Sequence, residues 1–270
     1  MPPVDHELNL TTQAILTDVS WALTAVLLVI AIRMGVRERT PFYALMVLAA
    51  LVGAFAEPLY DVAMMLYFYS TVGMWTHFTA FDIPQPIWTH SGYVVLYAAP
   101  GIYIAHRIAR GMITRRMLFV WAGITLLESA VFEIVGINGG LYSYWGPHVF
   151  RIFQYPLVIG VLEAAQVMCF AVAASQLRAR CTAHAQLLSL FVLFPCTFFM
   201  ANFGAGWPTI IAVHLEHTST PVIAAAAVLS ICFALILVQA AASFLPPRSV
   251  ANEDGGREPK QVLHEARPSV

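Results

Sequence analysis

Residues 42–68 read FYALMVLAALVGAFAEPLYDVAMMLYF, an apolar stretch long enough to cross a bilayer as one helix. Inside this stretch Glu57 and Asp61 stand one helical turn apart, next to Pro58. A charged carboxylate at the centre of a bilayer costs at least ~2–3 kcal/mol on insertion scales. The fold or the function of the protein must therefore offset that cost.

The composition of the chain is that of an integral membrane protein. Its 270 residues are 59% hydrophobic and only 11% charged, whereas a soluble domain carries roughly twice that charged fraction. The formal net charge of −1 argues against a nucleic-acid partner. The four cysteines form no CxxC pair and fall in or beside apolar segments, so we expect no disulfide framework.

Apolar segments of about 20 residues predict seven transmembrane helices. They cover residues 15–35, 42–68, 88–109, 116–138, 155–177, 184–206 and 219–245. The predicted fold is all-α, a multi-pass bundle of seven transmembrane helices over residues 15–245. A polar N-terminus, 1–14, precedes the bundle, and a polar tail, 246–270, which we expect to be disordered, follows it.

The arginines predict how the bundle is oriented. They cluster in the loops after predicted helices one, three and five and in the C-terminal tail, whereas the N-terminus and the other loops contain only Arg151. Cytoplasmic loops of membrane proteins carry an excess of Lys and Arg. We therefore expect the N-terminus outside and the C-terminus in the cytosol.

The acids within the predicted helices gather on one side of the membrane. At a rise of 1.5 Å per residue, the acids of predicted helices two, four and five all fall in the outer half of the bilayer. They are Glu57, Asp61, Glu128, Glu133 and Glu163. No cationic side chain except Arg151 lies on that side to pair with them. A carboxyl that stays protonated there is a Brønsted acid, which suits proton delivery to an alkene or epoxide, or proton exchange in transport.

Aromatic and polar side chains accompany these acids. His90, Tyr93 and Tyr97 share one face of predicted helix three, because they are spaced i, i+3 and i+7. The outer loops and the outer end of predicted helix six add Tyr142, Tyr144, Trp145, Asn202 and Trp207. Aromatic faces stabilise cations through their quadrupoles. The structural alternatives are an interfacial aromatic belt and acids that serve as hydrogen-bonding glue between helices.

Several function classes lack the residues that they require. A retinal protein needs a lysine in a helix, and the single lysine, Lys260, lies in the tail. The sequence contains no P-loop, dinucleotide fingerprint or GxSxG motif. The histidines do not form the clusters of a di-iron desaturase, and HLEH at 214–217 is only a weak metal motif. We therefore expect no metal and no organic cofactor.

Residues 133–157 read EIVGINGGLYSYWGPHVFRIFQYPL. The order E-x-x-G, G-x-Y-x-Y, G-P and P-L resembles a segment of bacterial membrane carotenoid hydratases, which add water across a terminal isoprenoid double bond. The matching residues are Glu133, Gly136, Gly140, Tyr142, Tyr144 and Pro156. The overall design also looks like the integral-membrane terpene cyclases, in which carboxyls protonate an epoxide or alkene. These resemblances imply proton-initiated isoprenoid chemistry, and the first implies a bacterial cell membrane.

The favoured function is acid–base chemistry on a lipophilic isoprenoid substrate, with cyclisation ahead of hydration. Glu57 or Asp61 would donate the proton, and Pro58 would open the backbone so that the carboxyl faces a cavity. Glu133 or Glu163 would orient the donor or accept the terminating proton. Glu128 and the aromatic and polar residues of the preceding paragraphs (His90, Tyr93, Tyr97, Tyr142, Tyr144, Trp145, Asn202 and Trp207) would bind the substrate. A proton-coupled transporter, a seven-helix ligand receptor and a structural subunit remain open as alternatives. Apart from substrate and membrane lipid, no partner or oligomeric state is predicted.

Overall fold

The computed structural model describes residues 2–246, so that almost all of the predicted tail lies outside the described residues. In the described part of the chain, ten α-helices account for most of the fold. They are α1 (Leu10–Glu38), α2 (Phe42–Gly53), α3 (Glu57–Met64), α4 (Trp88–Tyr93), α5 (Ala99–Ala109), α6 (Arg115–Asn138), α7 (Leu157–Arg180), α8 (Leu190–Phe199), α9 (Trp207–His214) and α10 (Thr220–Ser243). A 3₁₀ turn, Ala54–Ala56, joins α2 to α3, and π-helical turns join α4 to α5 and extend α8.

Six helical stretches in residues 2–246 are long and apolar enough to cross a membrane, so the chain is a multi-pass membrane protein. They are Leu10–Glu38, Phe42–Met64, Arg115–Asn138, Leu157–Arg180, His184–Ala205 and Thr220–Ser243. Each coincides with a predicted segment to within a few residues. The remaining predicted segment, 88–109, is helical from Trp88 to Ala109. It is not among the six because polar residues such as His90 lower its mean hydropathy.

Three short antiparallel ribbons add β-structure to a fold that the sequence predicts as all-α. They pair β1 (Leu66–Phe68) with β4 (Tyr142–Tyr144), β2 (Thr76–Ala80) with β3 (Ile83–Pro86), and β5 (Arg151–Ile152) with β6 (Tyr155–Pro156). The two-residue turns at Phe81–Asp82 and Phe153–Gln154 have positive φ angles throughout, as such hairpin loops require. We call this end of the bundle the hairpin end. The opposite end, with residues 37–41, 107–116 and 178–184, is the arginine end.

Helix α7 forms the centre of the bundle. Of its apolar window, 83% is buried, against 22% for α1, and α7 packs against α5, α6, α8 and α10. The peripheral helices instead expose apolar side chains such as Leu127, Val131 and Ile236, as expected for surfaces that face lipid. Polar side chains that point toward α7 are therefore the ones shielded from both lipid and water.

Pro58 interrupts the second membrane-crossing stretch. Because proline has no backbone N–H, the carbonyl of Ala54 loses its helical hydrogen-bond donor, and the backbone forms a 3₁₀ turn just before α3. The break lies where the sequence predicts that Pro58 opens the backbone. Helix α3 starts at Glu57 and ends at Met64 rather than at residue 68, because Met65 adopts a left-handed conformation and β1 follows.

Candidate functional site

Four of the five predicted acids are buried together near the hairpin end, and we call them the acid cluster. Glu57 and Asp61 come from α3, Glu133 from α6 and Glu163 from α7, and none is more than 7% exposed. The fifth acid, Glu128, is only half-buried. Its neighbour Ser129 faces the acid cluster and donates to Glu163. Because successive residues on a helix are rotated by about 100° about its axis, the side chain of Glu128 points away from the acid cluster.

Glu163 accepts hydrogen bonds from three hydroxyl groups. Tyr97 Oη donates to Glu163 Oε1 over 2.9 Å, and Tyr155 Oη donates to Oε2 over 3.1 Å. Ser129 Oγ also donates to Oε2. A carboxylate can accept all three bonds, whereas a neutral acid would have to use one position as a donor. This arrangement therefore suits an anionic carboxylate.

Glu57 and Asp61 stand one turn apart on α3, and both side chains are buried. Two buried carboxylates without a cationic partner among the described residues repel each other, which favours a state in which the pair holds at least one proton. Tyr93 Oη donates to Glu57, and Gln85 Nε2, from β3, donates to Asp61 Oδ2 over 2.6 Å. The pair is thus held in place from α4 on one side and from the β2–β3 hairpin on the other.

Glu133 is positioned by the β1–β4 ribbon. Tyr144 Oη donates to Glu133 Oε2 over 3.1 Å and lies 3.2 Å from Tyr60 Oη. The ring of Tyr142 lies against Gly136, where a Cβ atom would come within 2.5 Å of the phenol oxygen. The E-x-x-G and G-x-Y-x-Y elements of the sequence therefore meet in space.

The acid cluster has no cationic partner among the described residues. Both salt bridges in residues 2–246 involve Glu38, which pairs with Arg178 and His106 at the arginine end. Arg151 is the single guanidinium at the hairpin end within the described chain. It donates its hydrogen bonds to backbone carbonyls of the loop 144–154. Arg151 therefore braces this loop and does not neutralise the acids.

The acid cluster surrounds a narrow cavity of about 30 Å³, which has room for about one or two water molecules. The residues that line this cavity include Glu57, Glu133, Glu163, Tyr60, Tyr93, Tyr97, Tyr142, Tyr144, Phe68, Trp88 and Phe132. Asp61 is fully buried but does not line this cavity. The cavity therefore combines three acids with a wall of aromatic rings.

Four other residues that the sequence predicts for substrate binding do not line this cavity. His90 pairs with His77, their Nε2 atoms being 2.8 Å apart. Trp145 lies over a separate groove, Asn202 is buried elsewhere, and Trp207 is 51% exposed. The structure therefore brings together the acids and tyrosines but not these four side chains.

Seven residues of the site are absent from the sequence predictions: the hydrogen-bonding residues Tyr60, Gln85, Ser129 and Tyr155 and the cavity-lining rings of Phe68, Trp88 and Phe132. Helical spacing offers a signal for two of them. Tyr60 lies between Glu57 and Asp61 in α3, and Ser129 precedes Glu133 by one turn of α6. Gln85 and Tyr155 belong to the ribbons, and only tertiary structure brings them to the acids.

No group of three His, Cys, Asp or Glu side chains in residues 2–246 is arranged to hold a metal ion. Comparison of the chain with models of known protein families, with curated proteins and with solved structures gives no match. The candidate site is therefore interpreted from its own chemistry.

Proposed function

We propose that the protein is a membrane-embedded enzyme that protonates a lipophilic isoprenoid to start its cyclisation or, as a less favoured outcome, its hydration. The observation that carries this proposal is the acid cluster, four buried carboxyls with no cationic partner among the described residues, three of which line an aromatic cavity. The resemblances to carotenoid hydratases and membrane terpene cyclases support the same reaction class.

In this proposal Glu57 is the proton donor, because it lines the cavity, and Asp61, one turn further along α3 and outside the lining, shares its proton. The π electrons of the alkene, or a lone pair of an epoxide, take the proton. Glu57 is left as a carboxylate and the substrate as a cation. Tyr93 and the other ring-bearing side chains then stabilise the cation through their faces.

The reaction ends when a base removes a proton from the carbon next to the cation. Glu163 suits this role, because three hydroxyl donors support its anionic form. Glu133, which faces the same cavity, is the second candidate. In the hydration variant, water adds to the cation and the same carboxylate takes its surplus proton. The proton balance closes in both cases, and the chemistry needs only the carboxyls and the exclusion of bulk water.

Substrate binding requires the cavity to open, because ligand sites usually measure ~300–1,000 Å³. Tyr144 lines the cavity and also an open groove of about 560 Å³ at the hairpin end. We propose that the substrate enters from this groove when the β1–β4 ribbon moves Tyr144 aside. The bond from Tyr144 to Glu133 would close the site again after entry.

We propose further that the bundle crosses the membrane seven times, with the helix from Trp88 to Ala109 as the third crossing. This helix packs against α1, α2 and α7 along its length. The placement of the arginines supports an N-terminus outside and a cytosolic C-terminus. The hairpin end and its acids would then face the outer leaflet.

The main alternative is a proton-coupled transporter, or a receptor that uses the same acids. A transporter needs a polar path from the cavity to the arginine end. The buried side chains of α2 in that direction include Met46, Val47, Ala49 and Ala50, all of them apolar. The apolar wall of α2 favours the enzyme, whereas Gln166 and Ser175, buried on α7 in the same direction, are the polar residues that a transporter path would use.

The test compares Glu57→Gln with Glu128→Gln, since the same change outside the acid cluster serves as a matched control. Native protein and variants are supplied with prenylated and polyene substrates in D₂O, and the products are profiled by mass spectrometry. General acid catalysis contributes roughly 10²–10⁴-fold. We therefore expect Glu57→Gln to lose at least ~100-fold in product formation, Glu128→Gln to remain near native, and each product to carry solvent deuterium.

A native rate in Glu57→Gln would overturn the donor assignment, and a native rate in Asp61→Asn as well would exclude a role for the pair. Proton flux across vesicles with every lipid left unchanged would favour the transporter instead.

A further inference from the structure

A second cavity lies at the arginine end, opposite the acid cluster, in a groove between α1 and α5. Its volume is about 600 Å³. Its walls are mostly apolar, with Leu27, Ile30 and Met34 from α1 and Ile102 from α5. Its rim is polar and is formed by Arg37, Glu38, His106 and Arg110. The proposed reaction does not use this groove.

The rim carries excess positive charge. Arg178 Nη2 lies 2.6 Å from Glu38 Oε2 and neutralises that carboxylate. Arg37 and Arg110 are both exposed, and neither forms a salt bridge within residues 2–246. Two guanidinium groups are therefore available to a ligand from outside the chain.

The wall of the groove is held in place by neighbouring side chains. Arg107 Nη1 donates a hydrogen bond to Tyr103 Oη over 2.7 Å, and the ring of Trp121 packs 4.6 Å from that of Tyr103. His106 Nδ1 lies 2.9 Å from Tyr43 Oη. A preformed site of this kind loses little conformational entropy when a ligand binds.

We propose that this groove binds one anionic phospholipid, with the phosphate at Arg37 and Arg110 and an acyl chain along the apolar wall. Guanidinium groups pair with phosphate through two parallel hydrogen bonds. Basic pockets between transmembrane helices bind anionic lipid headgroups. Free phosphate would use only the rim, whereas a phospholipid also covers Leu27, Ile30 and Met34. This inference does not depend on the proposed reaction.

The test measures lipid binding to the purified protein by native mass spectrometry and by thermal unfolding. The probes are dioleoyl phosphatidylglycerol, dioleoyl phosphatidylcholine and inorganic phosphate. We expect phosphatidylglycerol to bind at least ~10-fold more tightly than phosphatidylcholine, and inorganic phosphate to leave the unfolding temperature unchanged. The double variant Arg37→Gln/Arg110→Gln should weaken phosphatidylglycerol binding on the order of thirtyfold.

Two controls separate this site from general charge attraction. Arg33→Gln/Arg180→Gln removes the same charge from the same end of the bundle but outside the groove, and should keep the preference for phosphatidylglycerol. Ala99→Phe fills the groove without changing charge and should weaken phosphatidylglycerol binding. Equal binding of both lipids, equal losses in the two arginine double variants, or equal stabilisation by inorganic phosphate would overturn the proposal.

Discussion

Gly136 stands one turn after Glu133 on α6 and leaves room for the ring of Tyr142. A methyl group at this position would come within 2.5 Å of the Tyr142 phenol oxygen, and β4 holds that ring from the other side by pairing with β1. We expect Gly136→Ala to lower the free energy of unfolding by ~1–3 kcal/mol, because overpacking a buried site costs about that much. Thermal unfolding in detergent measures the change.

Gly123 provides the matched control on the same helix, because no atom lies within 4 Å of its added Cβ. Replacing a helical glycine by alanine in open space is worth up to ~1 kcal/mol of stability. Gly123→Ala should therefore be neutral or stabilising. If both variants lose stability equally, the fit of Tyr142 against α6 is not the cause.

At the scale of elements, His148 fastens the loop after β4 to the end of α3, the helix that carries Glu57 and Asp61. Its Nε2 lies 2.8 Å from the Met64 carbonyl and donates to it, while Nδ1 is buried without a partner among the described residues. Burial lowers the pKa of the His148 imidazole to about 4. Protonation would therefore place an uncompensated charge between these two elements.

The pH dependence of stability follows from this pKa. Between the ordinary histidine pKa of about 6.5 and the folded value of about 4, the unfolded chain binds more protons than the folded one. Stability therefore falls as the pH drops through that window, by up to about 3 kcal/mol. Glutamine retains an N–H donor but does not titrate. We expect the unfolding temperature to fall less for His148→Gln than for the native protein between pH 7 and pH 4.5. If the unfolding temperatures of the two proteins depend on pH in the same way, His148 does not have this role.

The β2–β3 hairpin connects the surface of the hairpin end with the acid cluster. Its outer part is held by His77, which meets His90 of α4, and its last strand places Gln85 on Asp61. Burial and the neighbouring His90 lower the pKa of His77. The hairpin therefore supplies a buried donor to the site from a segment that is exposed along much of its length.

At the scale of the whole molecule, hydropathy predicts the membrane-crossing helices well, because hydrocarbon thickness dictates their length and composition. Six predicted segments coincide with apolar helical stretches. The end of a helix is harder to predict from sequence where the residues that follow it pair with a distant strand. Residues 66–68 belong to β1 and not to the second helix, because they pair with Tyr142–Tyr144 some 75 residues later in the chain.

The composition of the site is predictable only in part. The depth of a residue in the membrane follows from its position along a predicted helix. For this reason the sequence alone could place Glu57, Glu133 and Glu163 at similar depths. Rotation about the helix axis decides whether Glu128 or Ser129 faces inward, and a uniformly apolar helix gives little information on rotation. Gln85 reaches Asp61 through a ribbon whose placement depends on long-range contacts.

We propose that Glu57 and Asp61 share one proton beside the aromatic cavity, which is the central feature of the candidate site. Both side chains are buried one turn apart on α3, and neither has a cationic partner in residues 2–246. The proposed sharing does not depend on which isoprenoid is the substrate, so it can be tested on the purified protein alone.

Infrared spectroscopy tests this claim most directly, because the C=O stretch of a protonated carboxyl is resolved from that of a carboxylate. We expect native protein in neutral buffer to show such a band and the band to shift in D₂O. Glu57→Gln and Asp61→Asn should each remove the same component, since the introduced amide donates the hydrogen bond in place of the proton. A native spectrum without a component that both variants lose would contradict the shared proton.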